Sequence, residues 1–323
     1  MKLIVQIPCY NEADTLPLLF ARMPRALPGI DELEFLVIDD GCTDDTVAVA
    51  RALGVHHILH VPGRNRRWLG RAFKLGVMRA LDLGADIVVN TDGDNQYPSE
   101  RIGELIQPIL DGKAQLVIGD RSPAQLAESS PAKRLLQWFG NRLLAVVTGE
   151  PPRDGVSGFR AYSREALLQI HVITKFSYTL DTLIQCHKKG LAVEWLEIHP
   201  NAATRESRLF GSIWGMAGRS GFSLLRLLTV YEPFKAFLFA SFVSFVPALI
   251  LLGRFAYFFL FVHEEADGHI QSVIIGGALL VISALLAVFG VIGGLLAVNR
   301  SLIEELLTRV RRLELERRNL DRG

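Results

Sequence analysis

The chain has 323 residues, half of them hydrophobic, and its 35 basic and 34 acidic side chains leave a net charge of +1. This near balance, without a basic run interleaved with aromatic residues, excludes a nucleic-acid-binding protein held by bulk electrostatic attraction. The three cysteines, Cys9, Cys42 and Cys186, are widely spaced and form no Cys-x-x-Cys motif, so neither a disulfide framework nor a zinc site is indicated. Reduced thiols in a cytosolic compartment fit this pattern, and the N-terminus reaches Pro8 too soon for a signal peptide.

Residues 2–120 alternate short β-branched runs with helical runs. Strands are predicted at 3–7, 35–38, 57–61, 87–89 and 116–118, and helices at 15–26, 45–53, 70–83 and 99–110. This alternation predicts an α/β fold with a mostly parallel sheet, covered on both faces. Because ligands of such sheets bind beyond the carboxyl ends of the strands, the polar clusters at 8–12, 39–45 and 92–96 are candidate sites.

The cluster at 92–96 follows the apolar run 87–89 and contains Asp92, Asp94 and Gln96. Alternate residues of an extended chain point the same way, so these three oxygen-bearing side chains are expected to converge. Hard divalent cations bind such ligands, usually alongside substrate phosphates. The alternative for this stretch is a solvated Asp/Asn/Gly turn.

The other two clusters have similar alternatives. Residues 8–12 form either a ligand-binding loop or a simple loop and helix cap, with Glu12 or Asp14 at the helix start. Residues 39–45 form either a capped glycine turn or a ligand site; an EF-hand is excluded because Arg51 stands at its twelfth position. Walker A and Gly-x-Gly-x-x-Gly motifs are missing from the sequence, so neither P-loop ATP hydrolysis nor an NAD-type dehydrogenase is expected.

The middle of the chain is less decisive. The amphipathic stretch 131–149 either packs against the sheet or docks on a membrane surface, and the same question arises for 210–231. Polar loops are predicted at 154–160 and 204–208, a helix at 176–189 and a strand at 192–198.

Two apolar stretches follow, at 236–262 with the single charge Arg254 and at 270–298 with none. At about 1.5 Å of rise per residue, each can cross a hydrocarbon core of about 30 Å. The loop 263–269 is acidic, whereas arginines and lysines flank the pair, so the positive-inside rule places both flanks in the cytosol. Arg254 either snorkels to the outer interface or contacts a lipid phosphate. The tail 302–318 is predicted to be a short solvated or self-associating helix.

Taken in order, five motifs resemble those of the membrane-linked family 2 glycosyltransferases, in the polyprenyl-phosphate glycosyltransferase branch that includes dolichyl-phosphate mannose synthase. The motifs are Ile-Pro-Cys-Tyr-Asn-Glu at 7–12, Val-Ile-Asp-Asp-Gly-Cys-Thr-Asp at 37–44, Asp-Gly-Asp-Asn-Gln-Tyr-Pro at 92–98, Ser-Gly-Phe-Arg at 157–160 and Arg-Glu-Ser-Arg at 205–208. Each is weak alone, but the ordered set is specific.

The resemblance implies a GT-A nucleotide-sugar-binding fold and inverting transfer of a hexose from a GDP- or UDP-hexose to a polyprenyl phosphate, such as undecaprenyl or dolichyl phosphate. It implies that the nucleotide is held by Pro8, Tyr10, Asn11, Glu12, Asp39, Asp40, Asp92 and Gly93. Asp94 and Gln96 would hold Mg²⁺ or Mn²⁺ against the diphosphate. The residues matched to the acceptor phosphate and the catalytic site are Asp94, Arg121, Arg134, Ser157 and Arg160. No general base is assigned, although Asp154 and Asp181 lie in segments that could approach the acceptor.

The chain departs from the family pattern at three positions. Cys42 stands where Ser is frequent and Gly93 where Ala is common, and both changes are small. Trp68 stands where Gly is usual, which predicts a different local backbone at the donor site. A processive polysaccharide synthase is the rival enzyme, but its Gln-x-x-Arg-Trp signature is missing. A non-catalytic membrane scaffold of the same fold is the second rival.

The expected organisation is a cytosolic catalytic domain at 1–210, a juxtamembrane segment at 211–233, two transmembrane helices within 234–298 and a cytosolic C-terminal helix at 299–323. The expected partners are the sugar donor, the lipid acceptor and membrane lipids, with a homo-oligomer left open as an alternative and no nucleic acid.

Overall fold

The computed structural model describes residues 1–62, 68–121, 142, 145, 153–172, 178–201, 226–261 and 270–320, with side chains to 317 in the last range. The chain divides into two compact units. The first comprises Met1–Ala217 together with Glu305–Gly323, and the second comprises Gly218–Glu304.

The first unit is built on a seven-stranded sheet with the strand order β3-β2-β1-β4-β6-β5-β7. Its strands are β1 (Lys2–Cys9), β2 (Glu32–Asp39), β3 (His57–His60), β4 (Ile87–Asn90), β5 (Leu116–Asp120), β6 (Arg160–Ser163) and β7 (Val193–Glu197). All neighbours pair in parallel except β6, which runs antiparallel to β4 and β5. The mostly parallel sheet expected from the alternation of strands and helices is confirmed.

Strand β6 was not expected, because residues 154–160 read as a polar loop. It is only four residues long and begins with Arg160, whose side chain is fully buried. In the sheet, Tyr162 of β6 pairs with Val88 of β4 on one side and with Leu116 of β5 on the other. Because the strand is short and begins with a buried arginine, its sequence lacks the alternation of apolar and polar residues that predicts a strand.

In the described part of the first unit, six helices flank the sheet: α1 (Leu16–Arg22), α2 (Thr46–Ala52), α3 (Leu69–Asp82), α4 (Ile102–Leu110), α5 (Arg164–Gln169) and α6 (Thr179–Lys188). Helix α1 ends earlier than predicted because Met23 is extended, with ψ at 133°, and precedes Pro24. Helix α4 is preceded by a 3₁₀ turn at Ser99–Arg101.

Two hydrophobic cores lie on opposite faces of the sheet, because successive strand residues point to opposite sides. On β1, Leu3, Val5 and Ile7 belong to one core, whereas Ile4 belongs to the other. The first core is completed by α1, α2 and α4 and the second by α3, α5 and α6. Both faces are therefore covered, and ligands reach the sheet only at its ends.

The C-terminal segment of the first unit, from Glu305 onward, packs beside α5. It belongs to helix α8 (Ile270–Leu320), so the tail is not the short separate helix that the sequence suggested. The Arg311 Nη1 donates to the carbonyl of Ile170 at 3.1 Å, and the Thr308 hydroxyl lies 3.1 Å from the His171 Nε2. Leu315 packs against the second core. The segment is therefore part of the packing of the first unit.

The second unit contains helix α7 (Pro233–Phe261) and the part of α8 that precedes Glu305. Both helices are long and apolar enough to cross a membrane. Ser241 and Ser283 join them reciprocally: each hydroxyl donates to the other residue's carbonyl, at 2.8 and 3.0 Å. Hydrogen bonds of this kind satisfy polar groups where no water is available. On α7, Arg254 is exposed and its guanidinium lies 6.0 Å from the centre of the Phe258 ring.

Candidate active site

The carboxyl ends of β2, β1 and β4 are neighbours in the sheet, so the three polar clusters meet at one edge. Asn11, which adopts a left-handed φ of 56°, joins the first two clusters. Its side-chain carbonyl accepts from the Thr43 N–H at 2.8 Å, and its backbone N–H donates to the Cys42 Sγ at 3.4 Å. The described contacts of Asn11 therefore hold the loops that follow β1 and β2 together.

Asp39 builds the turn after β2. Its Oδ1 accepts from the N–H groups of Gly41 at 2.9 Å and Cys42 at 2.7 Å, and its Oδ2 accepts from the His60 Nδ1 at 2.7 Å. Burial alone would raise the pKa of Asp39, but the hydrogen bonds from Cys42 and His60 outweigh it and hold that pKa below its ordinary value. His60 was missed by sequence reasoning, since a histidine at a strand end carries no motif.

The loop after β1 is fastened to the loop after β4 through Thr15. The hydroxyl of Thr15 lies 2.8 Å from the Glu12 Oε2 and 2.7 Å from the Gly93 carbonyl, both of which are acceptors. The Glu12 N–H donates to the Thr46 hydroxyl at 2.8 Å, so Glu12 is buried between two helix starts. A Cβ at Gly93 would lie 3.0 Å from the Cys9 Sγ, which gives this chain a packing reason for glycine there.

The remaining residues expected to bind the nucleotide lie along the same edge. Pro8 and Tyr10 are half-buried at the end of β1 and just beyond it. Asp40 is buried, and its N–H donates to the Cys9 carbonyl at 3.0 Å.

The stretch from Thr91 to Pro98 is a turn. The extended chain that we expected to direct Asp92, Asp94 and Gln96 to the same side is therefore wrong. Asn95 adopts a left-handed φ of 59°, and the Asp94 Oδ1 accepts from the Gln96 N–H at 3.2 Å. Asn201 holds this turn from outside: its Nδ2 donates to the carbonyls of Asn95 at 3.0 Å and Tyr97 at 3.1 Å. No sequence signal pointed to Asn201, which lies more than a hundred residues away along the chain.

Asp92 lies in an unfavourable environment for a negative charge. Burial, as the largest cause, and the neighbouring Asp94 and Glu12 carboxylates together raise its pKa to about 7, while Arg121 opposes them. The carboxylates of Asp92, Asp94 and Glu12 thus repel one another where the loops after β1 and β4 meet. A divalent cation bound beside them would offset this repulsion.

Gly158 lies against Asp92 and is held from three sides. Its N–H donates to the Tyr97 hydroxyl at 2.8 Å, and its carbonyl accepts from the Asn90 Nδ2 at 2.9 Å and from the Tyr178 hydroxyl at 3.3 Å. A Cβ here would lie 3.2 Å from the Asp92 Oδ2. Glycine at 158 therefore lets the backbone approach the carboxylate.

Arg121, at the end of β5, is fixed by Asp154. The Arg121 Nε donates to the Asp154 Oδ2 at 2.8 Å, and its backbone N–H donates to the same oxygen at 3.1 Å. Its guanidinium lies 5.4 Å from the centre of the Tyr97 ring, and 15% of its side chain is exposed. Asp154 is thus the partner of a cation and is not positioned as a free base.

Arg160 and Ser157 are both fully buried. The guanidinium of Arg160 donates to the carbonyls of Ser157 at 2.7 Å, Thr179 at 2.7 Å and Gly155 at 2.8 Å. These contacts tie the 155–158 loop to the start of α6, and they direct the guanidinium into the protein interior. The expected contact of Arg160 with an acceptor phosphate does not fit this placement, whereas a role in positioning the loop does.

Other residues singled out in the sequence lie outside the described part of the chain. These are Arg134 and nearly all of 131–149, residues 65–67 beside Trp68, the motif 205–208, most of 210–231 and the loop 263–269. Asp181, on α6, is buried, and its Oδ1 accepts from the Gln185 Nε2 at 3.1 Å.

Within the described residues, no three His, Cys, Asp or Glu side chains form a group that would hold a metal by themselves. Asp94 and Gln96 nevertheless supply the oxygen ligands that Mg²⁺ and Mn²⁺ prefer, beside the crowded Asp92. Mg²⁺ is usually bound through one or two carboxylates plus substrate phosphates, so this donor set fits a cation that arrives with a diphosphate.

The fold of the first unit is of the GT-A type. A solved structure with this fold is glucosyl-3-phosphoglycerate synthase from Mycobacterium tuberculosis in complex with Mn²⁺, UDP and glucosyl-3-phosphoglycerate. It has a TM-score of 0.55 and 24% sequence identity, and the match covers 71% of this chain and 79% of that one.

Residues 4–170 match the family model of Glycosyl transferase family 2, and the chain belongs to this family. Similar proteins include the polyprenol monophosphomannose synthase of Mycolicibacterium smegmatis, 29% identical over 67% of this chain and 88% of that protein. The undecaprenyl-phosphate mannosyltransferase of Micrococcus luteus is 26% identical over 68% of this chain and 96% of that protein. The dolichol-phosphate mannosyltransferase of Pyrococcus furiosus is 32% identical over 52% of this chain and 47% of that protein.

Proposed function

We propose that this glycosyltransferase moves a hexose from a nucleotide sugar to a polyprenyl phosphate and depends on Mg²⁺ or Mn²⁺. The observation that carries the proposal is the carboxylate cluster at the end of β4, with the pKa of Asp92 raised to about 7, in a chain that also has two helices able to span a membrane. The names of the similar proteins from Mycolicibacterium, Micrococcus and Pyrococcus support a polyprenyl or dolichol phosphate as acceptor.

Asp94 and Gln96 would hold the cation, which when bound neutralises negative charge that develops on the leaving diphosphate. The loops after β1 and β2 supply Pro8, Tyr10, Asn11, Glu12, Asp39 and Asp40 for the rest of the nucleotide. Asn11 and Thr15 fix these loops to each other and to Gly93. The donor site is therefore organised before the sugar arrives, which lowers the reorganisation needed during transfer.

On the acceptor side, we assign Arg121, among the described residues, to bind the phosphate of the acceptor. Asp154 and Tyr97 hold it in place, so its charge is oriented without further ordering. A phosphate monoester is already anionic at neutral pH and can attack the sugar without a strong general base. Direct displacement then inverts the configuration at the anomeric carbon. Ser157 and Arg160 shape the loop beside this site.

The location follows from the lipid acceptor. A polyprenyl phosphate stays in the bilayer, and two spanning helices would keep the catalytic unit at that surface. The arginines and lysines flanking the pair support an orientation with the catalytic unit and the C-terminus on the cytosolic side of the membrane.

The test is transfer of a labelled sugar in liposomes that contain the full chain and undecaprenyl or dolichyl phosphate, with candidate UDP- and GDP-hexoses and Mg²⁺. We expect a lipid-linked monosaccharide that disappears with EDTA, and Asp94→Ala should lower turnover at least about 100-fold because charge stabilisation is lost. Asp111→Ala removes an exposed carboxylate at the end of α4 and should leave turnover unchanged.

Three outcomes would contradict the proposal. Long saccharide products would indicate a processive synthase. Full activity of Asp94→Ala would reject the metal assignment. Folded protein that makes no lipid-linked sugar from any donor, while its cellular role survives Asp94→Ala, would indicate a scaffold.

A further inference from the structure

His60 is the last residue of β3 and lies at the same edge of the sheet as the donor site. Its Nδ1 is 2.7 Å from the Asp39 Oδ2, while 59% of its side chain is exposed. Among the described residues, the only contact recorded for the imidazole is this one with Asp39. The ring is thus oriented at Nδ1 by a carboxylate, and more than half of the side chain is exposed among the described residues.

Both carboxylate oxygens of Asp39 accept hydrogen bonds from within the protein. Its Oδ1 already accepts from two backbone N–H groups, of Gly41 and Cys42, and its Oδ2 accepts from His60. The carboxylate therefore builds the turn and orients the histidine.

The spacing of the strands separates His60 from the proposed cation site at Asp94 by a distance that an extended nucleoside diphosphate can span. Strand β3 is three positions from β4 in the order β3-β2-β1-β4. At about 4.8 Å between neighbouring strands, the ends of β3 and β4 are about 14 Å apart. An extended nucleoside diphosphate whose phosphates lie near Asp94 therefore brings its base toward β2 and β3.

We propose that His60, oriented by Asp39, contacts the base of the sugar donor and determines which nucleotide is accepted. This inference rests on the proposed function, because it assumes a nucleotide-sugar donor. In the neutral ring, donation from Nδ1 to Asp39 makes Nε2 an acceptor. Uracil and guanine present a ring N–H to such an acceptor, whereas cytosine and adenine present a bare ring nitrogen at the corresponding position. His60 therefore selects uridine or guanosine donors against cytidine and adenosine donors.

The experiment measures binding of UDP, GDP, CDP and ADP, each with Mg²⁺, to the full chain in detergent by titration calorimetry. We expect UDP or GDP to bind more tightly than CDP and ADP, and His60→Ala to reduce this discrimination about 5- to 20-fold, the effect of about one hydrogen bond. His60→Asn keeps an N–H that can reach Asp39 but lacks Nε2, so it should preserve the turn and still lose the discrimination.

The matched control is His57→Ala. His57 lies at the other end of the same strand, where its Nε2 contacts the Glu34 Oε2 at 2.9 Å. This variant removes a similar histidine–carboxylate contact and should leave the discrimination between bases unchanged.

Two results would overturn the inference. Equal weakening of all four diphosphates by His60→Ala, with recovery in His60→Asn, would mean that His60 only supports the turn. Failure of all four to bind folded protein would overturn both the inference and the donor part of the proposed function. Selective binding that depends on His60, without any sugar transfer to polyprenyl phosphate, would support the inference and reject the proposed acceptor.

Discussion

Gly158 has no side chain, yet four side chains depend on its position. Tyr97, Asn90 and Tyr178 bind its backbone, and Asp92 lies where a Cβ would point. Gln6 donates to the Asn90 Oδ1 at 3.0 Å and so fixes the amide that holds the Gly158 carbonyl. The carboxylate cluster is therefore supported by a buried polar network that starts in the middle of β1.

Gly158→Ala should reduce catalysis far more than stability. The new methyl group would lie 3.2 Å from the Asp92 Oδ2 and 3.3 Å from the Tyr178 hydroxyl, so these tips must shift by a few tenths of an ångström. We expect turnover to fall about tenfold, because small displacements of reacting groups are costly. Steady-state kinetics and thermal unfolding of the same preparation would show the two effects.

Gly277→Ala is the control for that substitution, because a Cβ at Gly277 in α8 has open space. It should change neither turnover nor the melting temperature noticeably. Equal turnover of Gly158→Ala and the unchanged protein would show that the close approach to Asp92 has no catalytic importance.

Asp92 should make the metal-free protein less stable as the pH rises. Its pKa in the folded protein is about 7, above the ordinary value of 3.8, so between these values the folded state binds more protons than the unfolded state. The free energy of unfolding therefore falls with increasing pH in this window, by on the order of 2 kcal/mol between pH 5 and 8. Chemical unfolding in detergent with EDTA would measure this slope.

In Asp92→Asn this decrease in the free energy of unfolding between pH 5 and 8 should be missing, since the amide does not titrate. Asp111→Asn, which removes an exposed carboxylate, should keep the original slope. Parallel curves for the unchanged protein and Asp92→Asn would mean that Asp92 is not destabilised by its surroundings.

At the scale of elements, the C-terminal segment of α8 carries two leucines, Leu313 and Leu315, that differ in burial. Leu315 packs against the second core and lines a cavity of about 90 Å³ with Phe73 and Leu167, whereas Leu313 is 65% exposed. Leu315→Ala should lower the free energy of unfolding of the catalytic unit by about 1–2 kcal/mol, since a partly buried side chain is truncated.

Leu313→Ala is the matched variant on the same helix and should cost less than about 0.5 kcal/mol. Denaturant unfolding, followed through the tryptophan fluorescence, would compare the two. Similar values for both variants would mean that the segment does not pack on the catalytic unit in solution.

Elements with a strong periodic signal were predictable from the sequence, and short ones with buried polar residues were not. The apolar runs of β1, β2 and β4 gave the sheet, and the length of the two apolar stretches gave α7 and the start of α8. Strand β6 was hidden by Arg160, whose buried charge is satisfied by carbonyls from other segments. Such long-range partners have no local sequence pattern.

For the whole molecule, the motifs predicted that the polar clusters lie at one edge of the sheet. They did not predict which residues support these clusters. His60, Asn90, Tyr178 and Asn201 reach the site from four different elements or loops, and each acts through hydrogen bonds to a neighbour's backbone or side chain. A single sequence shows which residues follow a strand. It does not show which distant amides and hydroxyls will lie beside them after folding.

The packing of residues 305–315 on the catalytic unit has a consequence for synthesis on the ribosome. The whole second unit, Gly218–Glu304, lies between the two parts of the first unit in the chain. At about 5–20 residues per second, the first part waits roughly 4–17 s before the segment that covers Phe73 and Leu167 is made. During that interval an apolar patch of the catalytic unit is open to chaperones, and both candidate spans are made before the patch is closed.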